Sequence, residues 1–306
     1  MRTFCPKVAG MLVIWSMVCV CPASAVETAA VKGRGPSALT YSQGLAFRQI
    51  SLRQFSRPFC EDNEAHPSAG FRAWIDSPEM SQKEAPALQT FIGGLLGRTR
   101  DLTRTCGTKI PKPVHLVKDI GTGLAFQRET FFKEAEEESF PGYKTVLGTV
   151  DFSDQKYVGY TISVNWWLGD NNSGTYTKAH GVYGRRQGRL LVLSDFFRPE
   201  TMPKLTALVQ EAYAHQSPGG YIDSFVEFRR KFPKTDSFDE EKLDDPRPSE
   251  NFSISKNGMF WSFEDRSIVG YDKMRKEEPL VITVDWHKLK PLLKNADLLP
   301  DVVSER

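Results

Sequence analysis

The chain has 306 residues, of which 40% are hydrophobic and 25% charged, fractions that are ordinary for a globular protein of one large domain or two small ones. Its 40 basic residues include Arg2 and Lys7 of a predicted leader, so the mature chain would carry 38 basic and 38 acidic residues. Formal neutrality argues against nucleic acid as a partner, because no basic excess is present to neutralise phosphates.

The first 25 residues have the three parts of a secretory signal peptide. A positively charged start precedes an apolar stretch over residues 8–20, and small residues at positions 23–25 suit a signal peptidase. The apolar stretch is shorter than the roughly 18 residues that a membrane-spanning helix needs. We therefore expect cleavage after Ala25, an exported protein that is periplasmic or secreted, and no transmembrane segment in the mature chain.

Two cysteines, Cys60 and Cys106, remain after the leader is removed. In an oxidising compartment they are most simply one disulfide, which the chain-entropy model credits with about 4 kcal/mol. The alternative is that they supply two of four zinc ligands. That alternative lacks partners at a tight spacing, since neither His66 nor His115 fits a ligand pattern. We predict the disulfide and no cofactor.

The segment after the leader is predicted to begin with a tether, residues 26–41, and to continue as an N-terminal α+β subdomain, residues 42–141. Two strands are expected in this subdomain, Ala46–Leu52 and Gly70–Ile75.

A helix should follow these strands. Ser81 and Glu84 have the spacing of a capping box, although Pro86 favours a later start. Gly93 and Gly94 weaken the helix by about 1 kcal/mol each. Its apolar residues recur at helical spacing: Leu88, Phe91, Ile92, Leu95 and Leu96.

Three strands in a meander are predicted from Lys156 onward. The first alternates apolar and polar residues, which is typical of a half-buried antiparallel strand. A polar turn over residues 168–174 precedes the second strand, which begins at Thr175, and a basic turn precedes the third, Arg189–Leu193. A helix then follows, with Thr201 as its cap and Pro203 in its first turn.

The C-terminal part returns to strands. Residues 234–250 are acidic and contain two prolines, which predicts a solvated loop, and their spacing does not suit an EF-hand calcium site. Asn257-Gly258 indicates a hairpin, and a strand and a short helix capped by Asp285 follow. This order predicts an α+β fold, with an antiparallel meander sheet and helices packed on one face.

An ordered series of short motifs lies between residues 142 and 299. It begins with Ala179-His180 in a strand, and Gly188 and the segment LVLSDFF (residues 191–197) then lead into the helix at Pro203. Later come Gly258 with an aromatic strand and a final strand that ends in an aromatic residue, Trp286, followed three positions later by Leu289. In this order the segment resembles the extracellular domain of RsiV-type, lysozyme-sensing anti-sigma factors, which is also appended to some peptidoglycan deacetylases. The family has Pro-Tyr where this chain has Asp285-Trp286. No sigma-binding or deacetylase segment is recognisable, so those functions are not carried over.

His180 is the first candidate for chemistry because imidazole titrates near neutral pH and serves as a base or metal ligand. Its strand neighbours Tyr176 and Lys178 are not zinc ligands, and no nucleophile motif is present. A structural, hydrogen-bonding role is therefore favoured, with ligand binding and catalysis as alternatives. Asp195 is interpreted in the same way, as a residue that ends a strand and accepts hydrogen bonds from turn amides.

Aromatic residues flank the polar turn at residues 168–174. Trp167 and Tyr176 suit contact with a protein or glycan, and Trp167 is the better surface candidate because Trp166 falls on the buried face. Glu134 and residues 136–138 offer the paired carboxylates that glycoside hydrolysis requires. An exposed charged segment is the simpler interpretation of that cluster.

These features favour an exported, non-enzymatic binding protein of the cell envelope. The resemblance implies a lysozyme-like protein or peptidoglycan-related material as its partner. One alternative is an envelope hydrolase that uses His180 with an acid that the fold brings close. Another is a structural envelope protein without a small ligand.

Overall fold

The computed structural model describes residues 39–41, 45–55, 69–104, 117–138, 142–168, 175–216, 246–263 and 280–301. The predicted leader, both mature-chain cysteines, the turn at 169–174 and most of the acidic loop lie outside these residues. Within the described part of the chain, no helix is both long and apolar enough to cross a membrane.

Seven strands form one large sheet in chain order. They are β1 (Leu39–Tyr41), β2 (Leu45–Phe55), β3 (Gly70–Pro78), β4 (Gly142–Ser153), β5 (Tyr157–Leu168), β6 (Thr175–Gly184) and β7 (Arg189–Leu191). Neighbouring strands are antiparallel except β3 and β4, which are parallel because two helices connect them. Both of the predicted segments, 42–141 and 142–299, contribute strands to this sheet.

Helices α1 (Ala85–Arg104) and α2 (Ile120–Glu138) cover one face of the large sheet. The predicted apolar stripe of α1 is buried against β3–β6, as expected. Helix α2 was not predicted, because Gly121 and Gly123 near its start are poor helix formers and its acidic end resembles an exposed segment. Its start is nevertheless capped, since Asp119 Oδ1 accepts a hydrogen bond from the Thr122 amide at 2.7 Å.

The start of α1 differs from the predicted capping box. The helix begins at Ala85, and the carboxylate of Glu84 instead accepts two hydrogen bonds from Arg185, at 2.8 and 3.0 Å. The two glycines of α1 also differ from one another. A Cβ at Gly93 would collide with the backbone of Asp119, whereas a Cβ at Gly94 would have no atom within 4 Å. Gly93 therefore permits the close approach of α2.

A second, three-stranded antiparallel sheet packs near the opposite face of the large sheet. It has the order β10-β9-β8 and consists of β8 (Phe252–Ile254), β9 (Gly258–Phe263) and β10 (Leu280–Asp285). The predicted hairpin at Asn257-Gly258 is confirmed. Contact with β5 is close, because a Cβ at Gly159 would lie 2.7 Å from the Ile254 carbonyl oxygen. The predicted α+β class, with a largely antiparallel sheet, is confirmed.

Three further helices complete a second hydrophobic core with this sheet. They are α3 (Leu193–Phe196), α4 (Met202–Gln216) and α5 (Trp286–Leu289). The strand predicted to end at Leu193 ends at Leu191, because Leu193 begins α3. Thr201 lies in a 3-10 turn, where its hydroxyl donates to the Arg198 carbonyl at 2.8 Å, and Asp285 precedes α5 without a side-chain capping bond.

Candidate functional site

A β-bulge at Asp151 determines where this carboxylate lies. Val150 pairs with Tyr160 and Phe152 pairs with Gly159, so Asp151 is opposite no residue of β5. Val150 belongs to the core beneath α1 and α2, whereas Phe152 belongs to the second core. A bulge interrupts the alternation of a strand in this way. Asp151 and Phe152 consequently both face the second sheet.

Asp151 is one end of a hydrogen-bonded network between the two sheets. Thr161 Oγ1 lies 2.7 Å from Asp151 Oδ2 and 2.8 Å from His180 Nδ1, and His180 Nε2 lies 2.6 Å from Ser262 Oγ. Ser253 Oγ also donates to Asp151 Oδ2, at 2.7 Å. We call these five residues the seam network.

The donors and acceptors of the seam network fit one arrangement of protons. The Thr161 hydroxyl has a single hydrogen, which it donates to the Asp151 carboxylate, so its oxygen accepts from His180 Nδ1–H. His180 Nε2 then carries no hydrogen and accepts the hydroxyl hydrogen of Ser262. This assignment makes the imidazole neutral and leaves both of its nitrogens satisfied.

The backbone of His180 is held by the side chain of Asn251. Asn251 Oδ1 accepts from the His180 amide at 2.6 Å, and its Nδ2 donates to the Lys178 carbonyl at 2.9 Å. Strand β7 pairs with β6 only at residues 182–184, so this part of β6 has no β7 neighbour. The Asn251 amide therefore substitutes for a neighbouring strand.

Burial shifts the two ionisable groups of the seam network in opposite directions. The side chain of His180 is 1% exposed, and this desolvation, with a smaller contribution from Lys178, lowers its pKa to about 3. Desolvation raises the pKa of Asp151 to about 6, although the hydrogen bonds from Thr161 and Ser253 act to lower it. At neutral pH the imidazole is uncharged and most of the carboxylate is ionised.

The seam network has parts in common with a nucleophilic site. A serine hydroxyl that donates to an imidazole is the arrangement that activates serine in acyl transfer, and Ser262 is half-buried. Two features weaken this comparison. Thr161 stands between the imidazole and the acid, and the buried imidazole takes up a proton only at low pH. We therefore interpret the seam network as a structural link between the two sheets rather than as a site of proton transfer.

The large sheet carries a second candidate region on the face opposite α1 and α2, beside the seam network. Its residues are identified from the strand registers, and we call them the outer face: Ser51, Arg53, Arg72, Trp74, Tyr143, Thr145, Leu147, Ser163, Asn165, Tyr176 and Lys178. Tyr143 is 46% exposed and Leu147 42% exposed, although both are large and apolar. Exposed apolar side chains on a sheet mark a contact surface when they occur together.

The registers arrange the outer face in rows that cross the strands. One row consists of Ser51, Trp74, Leu147, Ser163 and Lys178. The next consists of Arg53, Arg72, Thr145, Asn165 and Tyr176. Aromatic, basic and hydroxyl-bearing groups are thus interleaved on one surface.

The predicted contact residues lie in different places. Tyr176 is half-buried on the outer face, and His180, on the same strand, lies in the seam network. Trp166 is half-buried against the core beneath the helices, as expected, while only the backbone of Trp167 is described, paired with Tyr143. Cys60 and Cys106 lie outside the described residues, so their disulfide stays a prediction.

Two of the carboxylates considered in the sequence analysis, Asp195 and Glu134, have described side chains, whereas those of residues 136–138 lie outside the described part of the structure. Asp195 lies in α3 and does not end a strand, but its carboxylate accepts the Val192 amide at 2.8 Å, as predicted for a turn, and pairs with Arg189 at 2.7 Å. Its pKa is lowered by the hydrogen bond from Arg189. Glu134 is half-buried on α2. In the described ranges, no three side chains of His, Cys, Asp or Glu are arranged to hold a metal ion.

Comparison with known proteins identifies a likeness in fold. No family model matches the chain, and no curated protein sequence matches it. A member of the DUF3298 family (BF2082) from Bacteroides fragilis NCTC 9343 is 16% identical, with a TM-score of 0.54 over 85% of this chain and 98% of that one. A DUF3298 family protein (PA4972) from Pseudomonas aeruginosa PAO1 is 14% identical, with a TM-score of 0.50 over 84% and 98%. The chain is therefore similar in fold to DUF3298 family proteins.

Proposed function

We propose that this chain is an exported, non-enzymatic binding protein of the cell envelope and that it binds its partner through the outer face. The observation that carries the proposal is the exposure of Tyr143 and Leu147 on a sheet whose other face is packed under two helices. The predicted leader supports export. The resemblance to the RsiV-type domain supports a role at the envelope.

The partner belongs to one of the two classes that the resemblance implies, a lysozyme-like protein or peptidoglycan-related material. Both are consistent with an outer face that mixes aromatic, aliphatic and hydrogen-bonding groups.

Retention on immobilised protein tests the proposal. The chain from Val26 onward would be exposed to envelope extract, to lysozyme and to isolated peptidoglycan. We expect one of these to be retained, and we expect Tyr143→Ser/Leu147→Ser to lose it. Val281→Ser is a matched control, because Val281 is 37% exposed on β10 of the second sheet. Absence of any retained partner, or equal retention by the double variant, would overturn the proposal.

Export can be tested separately from binding, by the location and the first residue of the expressed protein. Expression of the full chain in a bacterial host should place the protein outside the cytoplasm with Val26 as its first residue. A cytoplasmic product that retains Met1 would contradict export.

A hydrolase is the second candidate, and the 2.6 Å approach of Ser262 Oγ to His180 Nε2 is the observation that favours it. A serine-directed fluorophosphonate probe and a set of simple esters test it. Labelling at Ser262, together with ester turnover that Ser262→Ala abolishes, would favour the hydrolase. The binding proposal predicts neither.

A further inference from the structure

We infer that Arg98 and Glu250 together bind an amino acid, through its α-carboxylate and its α-ammonium group. Arg98 is on α1, which covers the face of the large sheet opposite to the outer face. The inference therefore concerns a second site and goes beyond the proposed function. It is carried by the unfilled hydrogen-bonding capacity of both side chains and by the separation between them.

Arg98 and Glu250 are close to each other beside the end of β7. One turn before Arg98, Leu95 packs on β6, where a Cβ added at Gly181 would lie 2.9 Å from its Cδ2. Residues three apart on a helix are neighbours on its surface, so Arg98 continues along the side of α1 that covers β6. Glu250 is attached at the same edge of the sheet, since its Oε2 accepts a hydrogen bond from the Leu193 amide at 2.8 Å, just after β7. The two charges are near enough to influence each other.

The guanidinium group of Arg98 lacks partners. It is half-buried, and desolvation lowers its pKa. In the part of the chain that the structure describes, it forms no hydrogen bond and no ion pair within 4.0 Å, and none of its nitrogens is closed off from solvent. A partly desolvated charge without a partner is unfavourable, and such groups are concentrated at functional sites. Arg98 is thus available to a ligand.

The carboxylate of Glu250 is available on one oxygen only. Its Oε2 is occupied by the Leu193 amide, whereas Oε1 has no donor among the described residues and is open to solvent. Glu250 is half-buried, and burial raises its pKa, while the charge of Arg98 acts to lower it. Since no ion pair joins these two described side chains within 4.0 Å, a gap separates the cation from the anion.

A ligand in this gap needs both charges. A simple anion would be repelled by Glu250 and by Asp195, which is near enough to act on Glu250, and a simple cation would be repelled by Arg98. An amino acid carries both charges on one carbon atom. Its carboxylate would accept two parallel hydrogen bonds from the guanidinium group, and its ammonium group would donate to Glu250 Oε1. Asp195 does not compete for the ammonium group, because it pairs with Arg189 at 2.7 Å.

Three related compounds test the inference. At neutral pH alanine carries both charges, N-acetylalanine only the carboxylate and alanine amide only the ammonium group. Isothermal titration calorimetry on the protein purified after expression of the full chain should show that alanine binds at least tenfold more tightly than either derivative. A tenfold ratio corresponds to about 1.4 kcal/mol, which is comparable to one charge-assisted hydrogen bond.

Substitutions match each charged group of the ligand to one residue. Arg98→Gln should weaken alanine binding at least tenfold but should not weaken the binding of alanine amide, which lacks the carboxylate. Glu250→Gln keeps an oxygen for the Leu193 amide. It should weaken alanine binding to the same extent but should not weaken the binding of N-acetylalanine. Arg128→Gln is the control, because Arg128 of α2 is already paired with Glu129 at 3.3 Å, and it should alter binding less than twofold.

Absence of alanine binding would overturn the inference, and so would equal binding of the three compounds. Unchanged alanine binding by Arg98→Gln would also overturn it, when circular dichroism shows that the variant is folded. If that variant does not fold, the comparison of the three compounds on the wild type decides the question. The proposed function is tested at Tyr143 and Leu147 of the outer face, so it stands or fails separately.

Discussion

His180 Nε2 on β6 and Ser262 Oγ on β9 are 2.6 Å apart, and this contact joins the large sheet to the second sheet. The same imidazole reaches Asp151 on β4 through Thr161 on β5. Buried polar networks whose members are all satisfied favour a single arrangement of the elements that they connect. The position of the second sheet therefore depends on the seam network as well as on the second hydrophobic core.

Thr161→Val should destabilise the protein. The change removes the hydroxyl that joins Asp151 to His180 and leaves His180 Nδ1 without its acceptor. A buried polar group that loses its partner costs about 1–3 kcal/mol in the free energy of unfolding, which urea denaturation measures. Thr149→Val is the control, because Thr149 pairs with Thr161 in register but is exposed, and it should cost less than about 0.5 kcal/mol. Equal costs would contradict the network.

Asp151→Asn should make the protein more sensitive to acid. The folded-state pKa of Asp151 is raised from 3.8 to about 6, so the folded state takes up this proton first and gains stability as pH falls from about 6 to 4. The pKa of His180 is lowered from 6.5 to about 3, so the unfolded state takes up that proton first and stability is lost as pH falls from about 6.5 to 3. Between pH 6 and 4 the two effects oppose each other.

Asp151→Asn removes the stabilising effect of protonating Asp151 and keeps the destabilising effect of protonating His180. Its free energy of unfolding should therefore fall more steeply than that of the wild type between pH 6 and 4, by up to about 1.4 kcal/mol per pH unit. Urea denaturation at intervals across this range measures the slope. Asp297→Asn, at an exposed carboxylate, controls for the loss of a charge. Parallel slopes for the Asp151 variant and the wild type would show that the pKa of this carboxyl is not raised by folding.

The adjacent glycines of α1 should respond oppositely to alanine. Gly93→Ala places a Cβ against the backbone of Asp119 and should destabilise by about 1–3 kcal/mol. Gly94→Ala meets no atom within 4 Å and should stabilise by up to about 1 kcal/mol, because alanine favours the helix. Thermal denaturation of the two variants compares them directly. Equal shifts of Tm would contradict the close packing of α1 and α2.

The mature protein should contain one disulfide and no free thiol. Alkylation of the denatured protein, followed by mass spectrometry, should modify no cysteine before reduction and both Cys60 and Cys106 after it. Alkylation of either residue without reductant would contradict the prediction.

Local patterns predicted much of the fold. The period-two alternation of residues 157–166, the apolar stripe of α1 and the Asn257-Gly258 turn each specify an element from neighbouring residues alone. Helix α2 was harder to predict, because glycines lie near its start and acidic residues form its end. Buried and more exposed residues alternate over residues 143–150 of β4, and Tyr143 is on the more exposed side.

The seam network could not be predicted in the same way. His180 is 82 residues from Ser262 and 19 from Thr161, so their contacts depend on how distant strands are paired. Asp151 joins them because of a bulge, and its neighbours on β4, Val150 and Phe152, are strand-forming residues that give no sign of the bulge in the sequence. The sequence indicated that His180 needs hydrogen-bond partners but could not identify them.

Co-sedimentation with isolated peptidoglycan is the most direct test of whether the outer face binds the envelope. The wild type and Ser262→Ala should both sediment with the polymer and leave it uncleaved. Tyr143→Ser/Leu147→Ser should remain folded and stay in the supernatant, because it lacks the exposed apolar side chains of the outer face. Sedimentation of that double variant, or cleavage of the polymer that depends on Ser262, would contradict the account.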